Sequence, residues 1–187
     1  MSIAGGCTSP AHRPTSARSS TTSVVAPRSS SAPTPETVVA LPCDDAILTA
    51  DDPSTSDDEL VVFGRVALPT QTLGLPSSSN DSSGRLFAKQ GLVIKPATSF
   101  ELIVPDEWRG FLTIGWGSPA RRSTHLQVSD CRPQRVGGLR LLRPVPPDKW
   151  FAYAGGYWVP RAACVSLLVK TVDETQRVQI GIGTPCH

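Results

Sequence analysis

Hydrophobic and polar positions alternate with a period of two over much of the chain. In residues 177–183 (RVQIGIG), Val178, Ile180 and Ile182 share one face, and Gln179, Gly181 and Gly183 the other. Val165, Leu167 and Val169 line up in the same way in CVSLLVKTV, as do Leu112, Ile114 and Trp116 in FLTIGWG. This is the pattern of half-buried strands, because successive strand side chains point to opposite faces of the pleat. Further strands are predicted at residues 60–68, 86–88, 92–94, 100–104, 126–128, 139–142 and 150–153. Pro, Gly, Asn and Asp punctuate the intervals densely. The TVDETQR connection is short enough to make the last two strands a hairpin. DDAILTADDP is the one stretch read as a helical turn or two, and no amphipathic helix of twelve residues is visible. About eight to ten short strands with Pro-rich turns predict an all-β fold, an antiparallel β-sandwich or a partly closed barrel. The glycines at 115, 117, 181 and 183 are expected to mark bulges or close packing between sheets.

The N-terminal stretch breaks the pattern. Residues 1–38 are dominated by Ser, Thr, Pro, Ala and Arg and show almost no apolar periodicity. Such a composition buries too little surface to offset the entropy of ordering, so this span is read as a disordered tether. Residues 39–187 are read as one domain, which the length of 187 residues accommodates. Arg13, Arg18 and Arg28 belong to the tether, and the domain carries fifteen basic and fifteen acidic side chains. A formally neutral domain offers no basic field for nucleic acid. Only four of the 18 basic residues are lysines, a bias typical of GC-rich genomes. No run of 18 or more apolar residues is present.

Ala4-Gly5-Gly6-Cys7 resembles a bacterial lipobox, in which small residues precede a cysteine that receives a diacylglycerol before cleavage. The Ser/Thr/Pro-rich stretch that follows is similar to the spacers of lipoproteins from high-GC Gram-positive bacteria. The resemblance implies a membrane anchor on Cys7 and an extracytoplasmic location. Only residues 1–6 precede Cys7. A signal peptide needs a basic stretch and an apolar stretch of roughly 7–15 residues. The expectation is therefore that the signal peptide is truncated here and lies upstream. A tether from Cys7 to Val39 would reach about 30 Å as a flexible coil and about 100 Å as extended polyproline. That reach would place the domain among cell-wall polymers, a second possible partner. YAGGYW with two cysteines downstream is similar to secreted actinobacterial proteins of unassigned activity, over roughly the last forty residues.

Cys43, Cys131, Cys164 and Cys186 form an even set within the domain. None has C-x-x-C spacing, and His12, His125 and His187 are scattered, so zinc ligation finds no support. Two disulfides fit an oxidising compartment. Four cysteines allow three connectivities. The one expected here is Cys43–Cys186 with Cys131–Cys164, since a long closed loop removes more entropy from the unfolded chain.

Candidate chemistry is sparse. Trp150, Phe151, Tyr153, Tyr157 and Trp158 flank Gly155-Gly156 in KWFAYAGGYWVP. As a possible ligand surface, Trp150, Tyr153, Tyr157 and Trp158 would stack on sugar rings; the competing reading puts the rings in the core at a hairpin or kink. The acidic run of Asp44, Asp45, Asp51, Asp52, Asp57, Asp58 and Glu59 lacks calcium-loop spacing and reads as a solvated loop. Arginines 121, 122, 132, 135, 140 and 143 could face that run, or anionic wall polymers or lipid head groups. His125, Asp130 and Cys131 share one window, and Cys131-Arg132 resembles wall-remodelling transpeptidases without their preceding His-Gly pair. No phosphate-binding loop, dinucleotide fingerprint or H-E-x-x-H is present, so no cofactor, metal or catalytic residue is expected. The sequence reading is a non-catalytic envelope protein with a binding or structural role. A wall-glycan module built on residues 150–158 and a thiol enzyme built on Cys131 and His125 are the alternatives.

Overall fold

The computed structural model describes residues 37–78, 82–142, 145–146 and 148–187. Cys7 and nearly all of the expected tether lie outside these residues, as does Arg143. The described residues are all-β, with three short 3-10 turns at Cys43–Asp45, Pro53–Thr55 and Asp106–Trp108. The strands are β1 (Val38–Ala40), β2 (Ala46–Ala50), β3 (Glu59–Val62), β4 (Val66–Pro69), β5 (Leu86–Lys89), β6 (Leu92–Ile94), β7 (Phe100–Ile103) and β8 (Thr113–Trp116). They continue with β9 (His125–Val128), β10 (Arg135–Val136), β11 (Leu139–Arg140), β12 (Trp150–Tyr153), β13 (Gly155–Val159), β14 (Ala163–Lys170) and β15 (Thr175–Ile182).

Two five-stranded sheets make the sandwich-like body. One has the order β1-β9-β7-β14-β15 and the other β2-β12-β6-β4-β3. A three-stranded sheet, β5-β13-β8, and the β10-β11 hairpin complete the fold, and none of these sheets closes into a barrel. Pairing among these strands is antiparallel except for β1, which runs parallel to β9, and an isolated bridge joins Leu73 in parallel to Ile182 of β15. The period-two residues are the core. Val165, Leu167, Val169, Ile180 and Ile182 are fully buried, together with Ile94, Leu102, Leu112, Ile114 and Leu126. Each such side chain contributes about 1.5–3 kcal/mol by leaving water. The final hairpin forms as expected, with Ala163 opposite Ile182 and Lys170 opposite Thr175. Its connection is tied by Thr171, whose hydroxyl accepts from Glu174 N at 3.0 Å.

Three local expectations change. Residues 60–68 are not one strand but two, β3 and β4, because the chain reverses at Phe63 (φ 52°) and Gly64 (φ 63°). A phenylalanine at positive φ is unusual, so the sequence offers little warning of this turn. DDAILTADDP supplies one 3-10 turn and then β2, because Ala46–Ala50 gains a ladder with β12. Tertiary pairing outweighs the local preference there. Residues 139–142 contribute only the two-residue strand β11, beyond the turn at Gly137 (φ 58°) and Gly138 (φ 77°). Two positive φ values make this a type I′ geometry, which suits the twist of a tight hairpin.

The Gly155-Gly156 segment is a kink between sheets. β12 pairs with β2 and β6, and β13 pairs with β5 and β8. The expected close packing at Gly115 and Gly181 is also present. A Cβ on Gly115 would lie 2.5 Å from Arg121 O, and one on Gly181 would lie 2.7 Å from Thr184 O.

Candidate functional site

The structure corrects the candidate ligand surface at residues 150–158. Trp150 is 2% exposed, Tyr153 and Tyr157 are 0%, and Trp158 is 8%. Both faces of β12 are covered. Phe151 and Tyr153 join the main core, while Trp150 and Ala152 pack in a smaller cluster with Ala67 and Val93. Trp116 meets Tyr157 edge-on at 5.5 Å and donates from Nε1 to Gln90 O at 2.9 Å. Trp158 stacks on Phe87 at 4.6 Å, with the Arg122 guanidinium 4.7 Å from its ring centre. Rings held between strands and a guanidinium present no face on which a sugar could stack.

The chain's two tyrosines share burial but differ in chemistry. The Tyr153 hydroxyl donates to Cys43 O at 2.9 Å and lies 3.2 Å from Cys131 Sγ. The Tyr157 hydroxyl has no hydrogen-bond partner among the described residues. Burial pushes both phenols up, and for Tyr153 the carboxylates of Asp44 and Asp45 add to the effect. A phenol raised in the fold stabilises the folded state fully below the ordinary tyrosine pKa of about 10, and that contribution is lost as pH rises. Absorbance at 295 nm is therefore expected to show almost no phenolate near pH 10 in the native chain, and each ring about half ionised at that pH in 6 M guanidinium. Normal titration of either ring in the native chain would contradict its burial. Tyr157→Phe is expected to be neutral or to raise stability by about 1 kcal/mol in urea unfolding, since it removes an unpaired buried hydroxyl. Tyr153→Phe is expected to lower it by about 1 kcal/mol.

The expected disulfide connectivity is also corrected. Cys43 is bonded to Cys131 and Cys164 to Cys186, with Cα separations of 5.5 and 5.1 Å. Strand order explains the change. Cys164 lies on β14 opposite Gly181 of its hairpin partner, and this brings the end of the chain back to it. Cys43 sits on the 3-10 turn before β2, beside the loop that leaves β9. A loop-length argument cannot see either neighbourhood.

This pairing bears on the thiol chemistry considered for Cys131 and His125. Cys131 Sγ is bonded to Cys43, and Cys131 is 3% exposed. His125 Nε2 instead faces Glu101 Oε2 at 3.2 Å, and Lys170 Nζ reaches the same oxygen at 3.5 Å. These groups lie on adjacent strands β9, β7 and β14. Asp130 pairs with Arg132.

The acidic run ties loops together. Asp45 accepts from Ser118 N at 2.7 Å, Asp44 from Gln134 N at 2.6 Å and Asp52 from Ser54 N at 2.9 Å. Asp51 forms an ion pair with Lys149. Burial, followed by the neighbouring Asp58, raises the Glu59 carboxyl. Among the described residues no cluster of three or more His, Cys, Asp or Glu side chains is arranged to hold a metal ion.

The described residues also line surface grooves. A shallow one of about 350 Å³ is lined by Glu101, Gln127, Lys170 and Thr171 with two serines. The larger, about 480 Å³, runs beside the β10-β11 hairpin and is lined by Pro96, Pro133, Leu141, Leu142, Val145 and Phe151, with Arg132 and Gln134 as polar members. Its volume is in the range of small-ligand sites. Ala97 N donates to Cys131 O at 2.8 Å, which holds one wall against the disulfide loop. The hairpin side is the surface that the sequence reading missed. Leu139 is 76% exposed and Leu142 94%, where alternation had suggested a half-buried strand. Gly137-Gly138 was the available signal, since a tight turn can carry a hairpin away from the sheets. Comparison with known proteins finds no match for this chain among protein-family models, curated proteins or solved structures.

Proposed function

We propose that the protein is a non-catalytic component of the cell envelope, anchored by lipid on Cys7, with a binding or structural role outside the cytoplasm. The observation that supports this reading best is the cysteine arrangement: all four cysteines of residues 37–187 are joined in two disulfides. Disulfides persist in oxidising compartments and are rare where thiols are kept reduced. The lipobox-like Ala4-Gly5-Gly6-Cys7 supplies the anchor, and the Ser/Thr/Pro-rich span supplies the distance from the membrane. The side chains weighed for catalysis are engaged otherwise, Cys131 in a disulfide and His125 with Glu101. The groove beside the hairpin is the surface best suited to a binding role.

The intact mass of the mature protein from its native host, before and after reduction and alkylation, tests this reading. The expected result is a chain that begins at Cys7, carries added acyl mass, and labels four cysteines only after reduction. A chain that retains residues before Cys7, without lipid and with freely labelled thiols, would overturn it.

A further inference from the structure

The outer face of the sheet β1-β9-β7-β14-β15 carries two rows of side chains that cross all five strands. Directly paired residues share a face, so the register fixes both rows. The first is Ala40, Gln127, Glu101, Lys170 and Thr175. The second is Val38, His125, Ile103, Leu168 and Arg177. The alternate residues Leu102, Leu126 and Val169 are fully buried, which puts the two rows on the side away from the core. Neighbouring strands lie about 4.8 Å apart, so each row runs about 19 Å across the sheet, and the rows are about 7 Å from each other. The shallow groove of about 350 Å³ opens on the first row and adds Ser99, Ser129 and Thr171 to it.

Charge and hydrogen-bonding capacity decide what fits this face. Lys170 Nζ and His125 Nε2 both meet Glu101 Oε2, and Arg177 pairs with Glu107. The charges of the two rows are thus answered within the face, and no single-sign field draws a charged polymer to it. The first row instead offers hydrogen-bonding groups at strand spacing. Gln127 donates and accepts, Glu101 has a second oxygen with which to accept, Lys170 has further N–H groups to donate, and Thr175 does both. Gln127, Lys170 and Thr175 are exposed. In the second row the partly buried Ile103 and Leu168 make a short apolar strip on the two central strands. All of these groups stand on paired strands, so the surface needs no ordering step before it meets a ligand.

We propose that this face binds an extended, uncharged oligosaccharide that lies across the strands, with hydroxyls on the first row and the C–H faces of its rings against Ile103 and Leu168. A hydroxyl both donates and accepts, which suits a row whose members differ in role. A peptide strand adds at a sheet edge through backbone groups, whereas this face presents side chains. A bilayer or an apolar protein surface calls for a larger protruding apolar area than the second row supplies. A polyanion or polycation would have to break the ion pairs at Glu101 and Glu107 to find a counter-charge. The inference goes beyond the envelope reading and stands without it, because every residue it uses lies in the folded domain and sugar binding requires no lipid on Cys7.

The test uses the full chain carrying Cys7→Ser, so that neither an acyl group nor a free thiol contributes. It is titrated with cellohexaose and with chitohexaose, two straight and uncharged oligosaccharides, and followed by amide chemical shifts. The expected result is saturable binding of at least one of them, with the shifts concentrated in β7, β9, β14 and β15. Cellobiose or chitobiose is expected to bind about tenfold more weakly, because a short ligand leaves part of the row without partners. Binding is expected to be insensitive to added salt, as it must be for an uncharged ligand. Gln127→Ala and Thr175→Ala are each expected to weaken binding about fivefold, with the melting temperature unchanged, since both side chains are exposed. Gln134→Ala, in the groove beside the hairpin, is expected to leave binding as it was. Several outcomes would overturn the proposal. No saturable binding of either hexaose removes sugar as the ligand. Shifts confined to other strands, or loss with Gln134→Ala in place of Gln127→Ala, moves the site elsewhere. Equal binding of polyglutamate or polylysine that salt abolishes assigns the face to a charged polymer.

Discussion

Replacing Cys43 and Cys131 together by alanine is expected to lower the unfolding free energy by about 4.5 kcal/mol, the larger of the two disulfide effects. The reason is the loop that the bond closes. Cys43 and Cys131 are 88 positions apart, whereas Cys164 and Cys186 are 22 apart. In the chain-entropy argument the penalty removed from the unfolded ensemble grows with the logarithm of that separation, which gives roughly 4.5 and 3.5 kcal/mol. The Cys43–Cys131 bond also pins the 3-10 turn before β2 to the loop after β9, which belong to different sheets. Its partner bond only staples the chain end to the hairpin that already precedes it. A domain of this size holds about 5–15 kcal/mol in total, so the first change uses up much of its margin. Urea unfolding of the two double-alanine variants, read by tryptophan fluorescence, checks the ranking. An equal loss in both, or a greater loss from the Cys164–Cys186 pair, would contradict it.

Gly156→Ala is expected to cost about 4 kcal/mol or more, although a single methyl group is added. An ideal Cβ at this position would lie 2.1 Å from Ala88 O, 2.9 Å from a Phe87 ring carbon and 3.0 Å from Gln90 N. Two of these atoms are backbone, and Ala88 is in the ladder with β13. Relief requires β5 and β13 to separate, which breaks hydrogen bonds and unstacks Phe87 from Trp158. The φ of +155° at Gly156 adds backbone strain for any L side chain. Overpacking of this kind, with no flexible group to yield, belongs among the most damaging single changes. Gly74→Ala is the matched control. Nothing lies within 4 Å of its Cβ position and its φ lies outside the strained positive range. That substitution is expected to be neutral or to stabilise by about 0.4–1 kcal/mol through the unfolded state. Denaturant midpoints for the pair separate the two cases; similar values would mean that the sheets at Gly156 yield more readily than these distances allow.

Residues 163–182 show how much was legible locally. Two runs of period two and a short polar connection specify a hairpin, because alternation dictates the buried face and a four-residue link brings the strands together. The same logic placed β6, β7 and β12 and the all-β class. Composition marked residues 1–38 as a different kind of chain. Parity of the cysteines and the absence of metal spacing pointed to disulfides. All of these readings depend on near neighbours or on sums over residues, which a sequence states directly.

What the sequence left open depends on which distant segments meet. The three ways of pairing four cysteines differ only in tertiary proximity, and the approach of the 3-10 turn before β2 to the loop after β9, in the other sheet, puts Cys43 beside Cys131. The rings of residues 150–158 alternate in sense, which by itself suggests that some face outward. They are buried because the kink at Gly155-Gly156 passes the chain from one sheet to another, and the outer face of β12 receives Ala67 and Val93. Tyr153 and Tyr157 read alike as letters, yet one hydroxyl finds a carbonyl and the other does not. Leu139 and Leu142 look like strand core and stand in water, because β11 pairs with β10 alone in a two-stranded hairpin. Periodicity belongs to the chain and was settled by the sequence alone; burial, pairing and exposure belong to the packing of distant segments, and only the tertiary structure decided them.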